Sequence, residues 1–501
     1  MKALESLRGL FTLLALGAAT SAQTPSEDAR RLAELAHQRY AEPLVTTLAE
    51  LVAFDTYRRE GIPNAEHPSF KAMSARLGEI AAEFGLDFAD YGAVVVIGLG
   101  DAEERLGVIT HGDVVPVTPS QWAKDPFTLD LESEPGRLVG RGTEDDKGPI
   151  ACALYAMRTI KEEGLPLSRR IELVVSYTEE SDWTPFQEFL AEHPAPQMNV
   201  AFDAQYPVVV AEKGWCSLNL GFPLELSAEG PRIESLSGGF FLSQVPESAE
   251  AVIADPTPEI EAKLLAAARA DGDVRYTFEP GPARLTIRAA GVSAHSSTPE
   301  DGRNAITHLA AVLGSCDWPA NAQGWTVRLI NDLIGTGFYA ERFGDLGYRD
   351  AFMGPLTLSL GVLEESEGQL FTRVNLRRPV GRTADEVQAS FEAAVAAWKK
   401  STGCTDLTHS SYVGQPHPPV DAGHVPVLLD TFRHYTGITE AAPVSIGGGT
   451  HARLVPGGVN FGPSMPGEAY TGHSEHEFLS REQLLLNLRM YTSLLVDLAG
   501  A

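Results

Sequence analysis

Five side chains scattered along the sequence, His111, Asp145, Glu180, Asp203 and His473, share one chemical character. They are oxygen and nitrogen donors with no thiolate among them, a set that suits a pair of zinc ions sharing one carboxylate. Singly they mean little, because a lone histidine after a strand is more often a satisfied structural residue and a pair such as Glu179-Glu180 is usually a solvated edge. Their weight depends on the elements that position them.

Asp145 lies in residues 140–149, Gly-Arg-Gly-Thr-Glu-Asp-Asp-Lys-Gly-Pro, a glycine-rich turn that sets two adjacent carboxylates just ahead of a helix. The helix is read from Pro149 in its first turn, Ile150, Leu154, Met157 and Ile160 at helical spacing, and Gly164 as the stop. Such a turn also suits phosphate, but neither Gly-x-x-x-x-Gly-Lys-Ser/Thr nor Gly-x-Gly-x-x-Gly occurs in it. Residues 106–110 form a short strand ending at His111-Gly112-Asp113, and because positions i and i+2 of an extended segment face one side, His111 and Asp113 project together. Strands over 171–177 and 199–202 end at Thr178-Glu179-Glu180-Ser181 and at Asp203. Residues 29–51 have helical character, and 93–98 suit a buried strand. Alternating strands and helices predict an α/β sheet with crossover helices, whose functional groups gather at the carboxyl ends of the strands.

From about residue 215 the character changes. Leu285-Thr286-Ile287-Arg288-Ala289 alternates, residues 356–360 and 370–376 are strand-like, and a helical patch spans 304–313. This predicts an α+β domain inserted into the first, because metal-type residues resume only after it. The last part holds a helix over 425–435, the run Gly447-Gly448-Gly449-Thr450, and Gly472-His473-Ser474-Glu475-His476-Glu477-Phe478. A final helix starts at Ser480, with Gln483 placed for a capping box. The expected division is 23–214 and 411–501 for one domain and 215–410 for the insert.

With 501 residues, 44% hydrophobic and 21% charged, the chain can build at least two cores. A net charge of −28 excludes binding to a nucleic-acid backbone and describes an acidic, solvated surface. Residues 1–22 read as a secretory signal: Lys2 and Arg8 precede an apolar run over 10–19, and Thr20-Ser21-Ala22 offers a cleavage site. The run is too short to span a bilayer, so export to a periplasm or beyond, with no membrane span after cleavage, is expected. Cys152, Cys216, Cys316 and Cys404 form no Cys-x-x-Cys pair and no thiolate metal site; export permits a disulfide whose pairing spacing does not reveal.

Taken in order, His111-Gly112-Asp113-Val114-Val115-Pro116, Trp122 with Pro126-Phe127, the 140–149 turn, Thr178-Glu179-Glu180-Ser181, residues 203–207 with Ala211-Glu212-Lys213-Gly214, and Gly447-Gly448-Gly449-Thr450 resemble the M20 metallopeptidase family, most closely its PepV-type bacterial dipeptidases. The resemblance covers nearly all of the mature chain. It implies a zinc-peptidase-like catalytic domain with a central mixed sheet flanked by helices, plus an α+β lid. It implies that Asp145 bridges two zinc ions, that His111 and Asp203 complete one and Glu180 and His473 the other, and that Asp146 is a neighbour only. Asp113 would orient the His111 imidazole. Glu179 would be the general base, moving a proton from the metal-bridging water to the leaving amine, which requires it to stay off the metal.

Within the insert, Gly291-Val292-Ser293-Ala294-His295 with Pro299, Gly302 and Asn304-Ala305 resembles the lid motif, so His295 would donate to the oxyanion. In Asn375-Leu376-Arg377-Arg378-Pro379, Arg377 matches the arginine that grips a substrate carboxylate, with Arg378 as the alternative. Gly448 would let the backbone approach the substrate, and Ser243 stands where relatives carry a substrate-contacting asparagine. Other departures are Asp182, His451 and His476; the two histidines are rival ligands to His473.

These implications predict an exported, monomeric, dizinc dipeptidase for small unblocked dipeptides, although manganese or cobalt could occupy such a site. Alternatives are an amidohydrolase of N-acyl amino acids or carnosine-like peptides, and a non-catalytic, metal-containing peptide-binding protein.

Overall fold

The strand Arg105–His111 is buried along nearly its whole length, as a strand must be when others flank both its edges. In a computed structural model, which describes residues 24–225, 229–468 and 470–501, it pairs in parallel with Arg170–Ser176 on one side and Met198–Ala201 on the other. The expected signal segment, residues 1–22, lies outside the described residues.

The sheet around this centre has eight strands, in the order Asp87–Asp90, Val94–Leu99, Arg170–Ser176, Arg105–His111, Met198–Ala201, Val459–Asn460, Val209–Glu212 and Val444–Ile446. It is mixed: Val94–Leu99 runs antiparallel to Arg170–Ser176, whereas Val459–Asn460 is parallel to Met198–Ala201. Helices Glu27–Val52, Lys147–Glu162 and Arg481–Ala499 share one apolar core with it, through Leu48, Leu154, Val108, Leu173 and Leu494. The helix behind the acidic turn begins two residues ahead of Pro149, at Lys147, which leaves the proline in the first turn where its missing N–H costs nothing. Ser480 caps the last helix, accepting from the Gln483 N–H at 3.0 Å, but the Gln483 amide turns to Pro463 O and Asn487 and does not close a capping box.

The insert is a second eight-stranded sheet, ordered Arg275–Gly281, Arg284–Ala290, Ser248–Ala254, Arg232–Gly238, Thr357–Ser366, Gln369–Arg378, Gly214–Pro223 and Thr408–Val413. Leu285, Ile287 and Ala289 point into its core, as their alternation predicts. Its bounds differ slightly from expectation, because Gly214 starts its first strand and Thr408–Val413 pairs with that strand through Val413–Cys216. A break at residue 410 would cut this last strand. All four cysteines are free. Among the described residues no helix is long and apolar enough to cross a membrane.

Candidate metal centre

The carboxyl ends of three central strands and the acidic turn converge on one point. Asp145 Oδ1 lies 2.7 Å from His111 Nε2 and Asp145 Oδ2 lies 3.1 Å from His473 Nε2. Asp203 Oδ1 stands 3.3 Å from His111 Nε2, and Glu180 Oε1 stands 2.8 Å from His473 Nε2. One carboxylate thus sits between two half-sites, each offering one further carboxylate and one imidazole. The peptide between Asp145 and Asp146 is cis, and Asp146 turns away: its Oδ2 accepts the His111 N–H at 3.2 Å.

The centre is short of positive charge. Among the described residues no lysine or arginine pairs with Asp145, Glu180 or Asp203, whose ionic partners are the two histidines alone. Burial opposes charging of His473, yet the Glu180 and Asp145 carboxylates push it up to about 10. Burial and the Asp145 charge push Glu180 up to about 7, and burial with Asp203 raises Glu179 well above the usual carboxylate range. Buried carboxylates of this density require compensating charge. The His111–Asp145–Asp203 and Asp145–Glu180–His473 groups therefore fit divalent metal held by nitrogen and oxygen donors.

Asp113 stands beside the imidazole it is expected to orient, through its main-chain oxygen as well as its carboxylate. His111 Nδ1 meets the Asp113 main-chain oxygen at 2.8 Å, while the nearer carboxylate oxygen is 3.5 Å away. The Asp113 carboxylate also accepts the N–H groups of Glu179 at 3.2 Å and Glu180 at 3.0 Å, fixing the turn that aims both. The Trp183 indole N–H, donating to Glu179 O at 2.6 Å, holds the same turn from the other side. One oxygen of Glu179 and one of Glu180 each lie within 4.8 Å of a His111 nitrogen.

The rival histidines stand elsewhere. The His451 ring stacks on Phe186 at 4.3 Å, with neither nitrogen bonded, and His476 is a half-exposed partner of Glu134. His473 has φ +65°, a left-handed backbone that few non-glycine residues adopt and that functional sites tolerate.

The lid reaches this centre within the same chain. The His295 ring centroid is 6.0 Å from that of His473. Its loop is pinned by Ser296 N–H donating to Ser243 O at 2.9 Å and Val245 N–H donating to Ala294 O at 2.8 Å, so Ser243 acts here through its backbone. Nδ1 of His295 lies 2.6 Å from the Ser297 hydroxyl and 3.3 Å from the Ser297 N–H, and burial beside Arg377 holds the ring neutral. With Nδ1 accepting from Ser297, the other ring nitrogen carries the proton and can donate.

Arg377 is buried and donates to Asn375 Oδ1 at 3.1 Å and Gly447 O at 3.1 Å, with no carboxylate partner among the described residues; burial pushes it down to about 10. Arg378 spends its guanidinium on Gly414 O, Arg382 O and Gln415, a structural role. At the glycine run, a side chain on Gly447 would strike Ser297 of the lid, whereas at Gly448 the nearest obstacle is Ile446 at 3.6 Å, so the open face is at Gly448.

Three contributors carry no sequence signal strong enough to single them out. Glu477 Oε2 accepts from Arg141 at 2.7 Å and the Gly142 N–H at 2.9 Å, and its Oε1 from the Glu144 and Asp145 N–H groups at 2.9 and 3.1 Å. Glu144, which the sequence left without a role, accepts from Ser464 at 2.6 Å and from Thr471 and Gly472 N–H groups at 2.8 and 3.1 Å. Tyr470 donates its hydroxyl to Asp145 Oδ2.

Residues 107–497 match the model of peptidase family M20/M25/M40. The chain is 29% identical over 467 residues to the Beta-Ala-Xaa dipeptidase of Lactobacillus delbrueckii subsp. lactis, covering 91% of this chain and 96% of that protein. To YtjP of Bacillus subtilis, provisionally named a dipeptidase, it is 31% identical over 408 residues, 80% of this chain and 84% of that one. Human carnosine dipeptidase 1 shares the fold at a TM-score of 0.58 and 14% identity, over 94% of this chain and 99% of that one. The yeast dipeptidase Dug1p from Saccharomyces cerevisiae does so at 0.54 and 12%, over 93% and 98%. The chain belongs to peptidase family M20/M25/M40 and is a peptidase.

Proposed function

We propose that this chain is an exported dizinc dipeptidase that cleaves small unblocked dipeptides. The observation that carries the reading is the Asp145 carboxylate, with one oxygen toward His111 at 2.7 Å and the other toward His473 at 3.1 Å, because a shared carboxylate between two N/O half-sites is what a two-ion hydrolytic centre needs. Two zinc ions bound there would supply the charge that acidifies an attacking water and polarises a peptide carbonyl.

Glu179, beside the ligand Glu180, takes the proton from that water and later gives it to the departing amine. His295 turns its Nε2–H toward the oxygen that becomes negative. Arg377, a buried cation with no acidic partner among the described residues, receives the substrate's carboxylate, and Gly448 offers a face with no side chain in the way. That the lid places His295 at the centre in cis supports a monomer, and the signal-like residues 1–22 support export.

The names of the relatives favour a dipeptide over an N-acyl amino acid. Hydrolysis of a panel of free, N-acetylated and β-alanyl dipeptides, with and without a chelator, tests the reading. Chelator-sensitive cleavage of free dipeptides is expected; cleavage of acylated substrates alone would favour the amidohydrolase, and binding without cleavage a peptide-binding protein.

A further inference from the structure

Three rings cluster beside the centre. His295 and His473 have centroids 6.0 Å apart, Tyr470 and His473 6.0 Å, and His295 and Tyr470 6.3 Å, all at steep interplanar angles. His295 belongs to the lid, and the other two to the catalytic domain. The Tyr470 ring is partly open to solvent, yet its hydroxyl reaches inward to donate to Asp145 Oδ2, the same oxygen that faces His473. The loop is shaped to admit it: a Cβ on Gly472 would occupy the space of the Tyr470 phenol. The Tyr470 and His295 rings, with centroids 6.3 Å apart, thus stand beside the centre from the catalytic domain and from the lid, where a scissile carbonyl must lie to be attacked.

We propose that Tyr470 is a second catalytic donor to the oxyanion, acting beside His295. The inference rests on the dipeptidase reading. As water oxygen bonds to the carbonyl carbon, the C=O π pair moves onto oxygen and Glu179 takes the water proton; the Tyr470 O–H gives up its bond to Asp145 Oδ2 and swings to that oxyanion, to which the His295 ring also donates. When the C–N bond breaks, the pair returns to C=O, the amine receives the proton from Glu179, and Tyr470 keeps its own. Removing one such donor lowers kcat by about 100-fold while leaving ground-state binding nearly intact.

The test compares the full zinc-loaded chain with Tyr470→Phe, which retains the ring and its packing. Expected are a fall in kcat of about 100-fold, a KM within about threefold, and loss of affinity for a phosphinic dipeptide analogue in proportion to kcat/KM. Zinc content and chelator competition should match the wild type. An unchanged kcat overturns the inference, as does loss of zinc alongside kcat, which would make the phenol a ligand or a prop for Asp145. A wild type that cleaves no dipeptide overturns the dipeptidase reading and this inference together; a wild type that cleaves while Tyr470→Phe cleaves equally well overturns the inference alone.

Discussion

The main-chain N–H of Glu144 donates to Glu477 Oε1 at 2.9 Å, while the Glu144 carboxylate accepts from Thr471 and Gly472 on the segment that leads to Glu477. Each carboxylate thus holds the other's loop. Between them they position Asp145, whose own N–H also donates to Glu477, and His473, which follows Gly472 directly. The proposed shared ligand and His473 are therefore clasped together, and supporting contacts of this kind orient ligands and tune metal affinity.

Glu144→Gln should weaken zinc at the His473–Glu180 half-site by roughly 10-fold or more, because the amide cannot accept all the donors that Glu144 now satisfies. Glu477→Gln should weaken both half-sites through Asp145 and cost about 3 kcal/mol of stability by leaving Arg141 unpaired in the interior. Stepwise zinc titration by calorimetry, with unfolding followed by circular dichroism, distinguishes the two patterns.

Asp145→Asn should lose both ions, whereas Asp146→Asn should retain them, since Asp146 faces the His111 backbone and not the half-sites. Metal analysis of the dialysed variants checks this, and equal loss in both would erase the distinction.

Replacing Arg377 with Met should raise KM for free dipeptides by roughly 30-fold, equivalent to about 2 kcal/mol for a lost hydrogen bond to a charged group. Dipeptide amides, which lack the carboxylate, should be cleaved equally by the variant and the wild type. Initial-rate kinetics on the matched pair of substrates give the answer.

Glu212 holds the loop after the glycine run, accepting from the Thr450 hydroxyl at 2.7 Å, and burial pushes its carboxyl up to about 7. Because its folded value lies above the unfolded one, the folded state binds the proton more tightly, and stability falls as pH rises from about 4.5 to about 7. The penalty is about 3 kcal/mol once the group is ionised. Glu212→Gln has no such proton to lose, so the stability of the wild type relative to this variant should decline by that amount between acid and neutral pH in denaturant unfolding, and then level off.

The strands were legible because apolar runs such as residues 106–110 ended at residues with chemical potential, and the period of two in residues 285–289 marked the lid. The half-site assignments came from motif order, which places ligands but not their supports. Glu477 and Glu144 escaped because their partners are backbone N–H groups more than 300 positions away in sequence, and no residue pattern announces a carboxylate filling a turn of amides. The shared face of i and i+2 placed Asp113 beside His111, but nothing in that spacing announced that its carboxylate would also accept two amides of the neighbouring turn. Tyr470 was invisible for a similar reason: its hydroxyl reaches Asp145 only after the last segment folds across the acidic turn.

The most direct test of a dizinc dipeptidase with Glu179 as its base is steady-state hydrolysis of an unblocked dipeptide by zinc-loaded Glu179→Gln. The account predicts two zinc ions per chain, near-normal KM, and a kcat lowered by roughly 1,000-fold, in the range expected for loss of a general base. Wild-type activity in this variant, with its zinc intact, would contradict it.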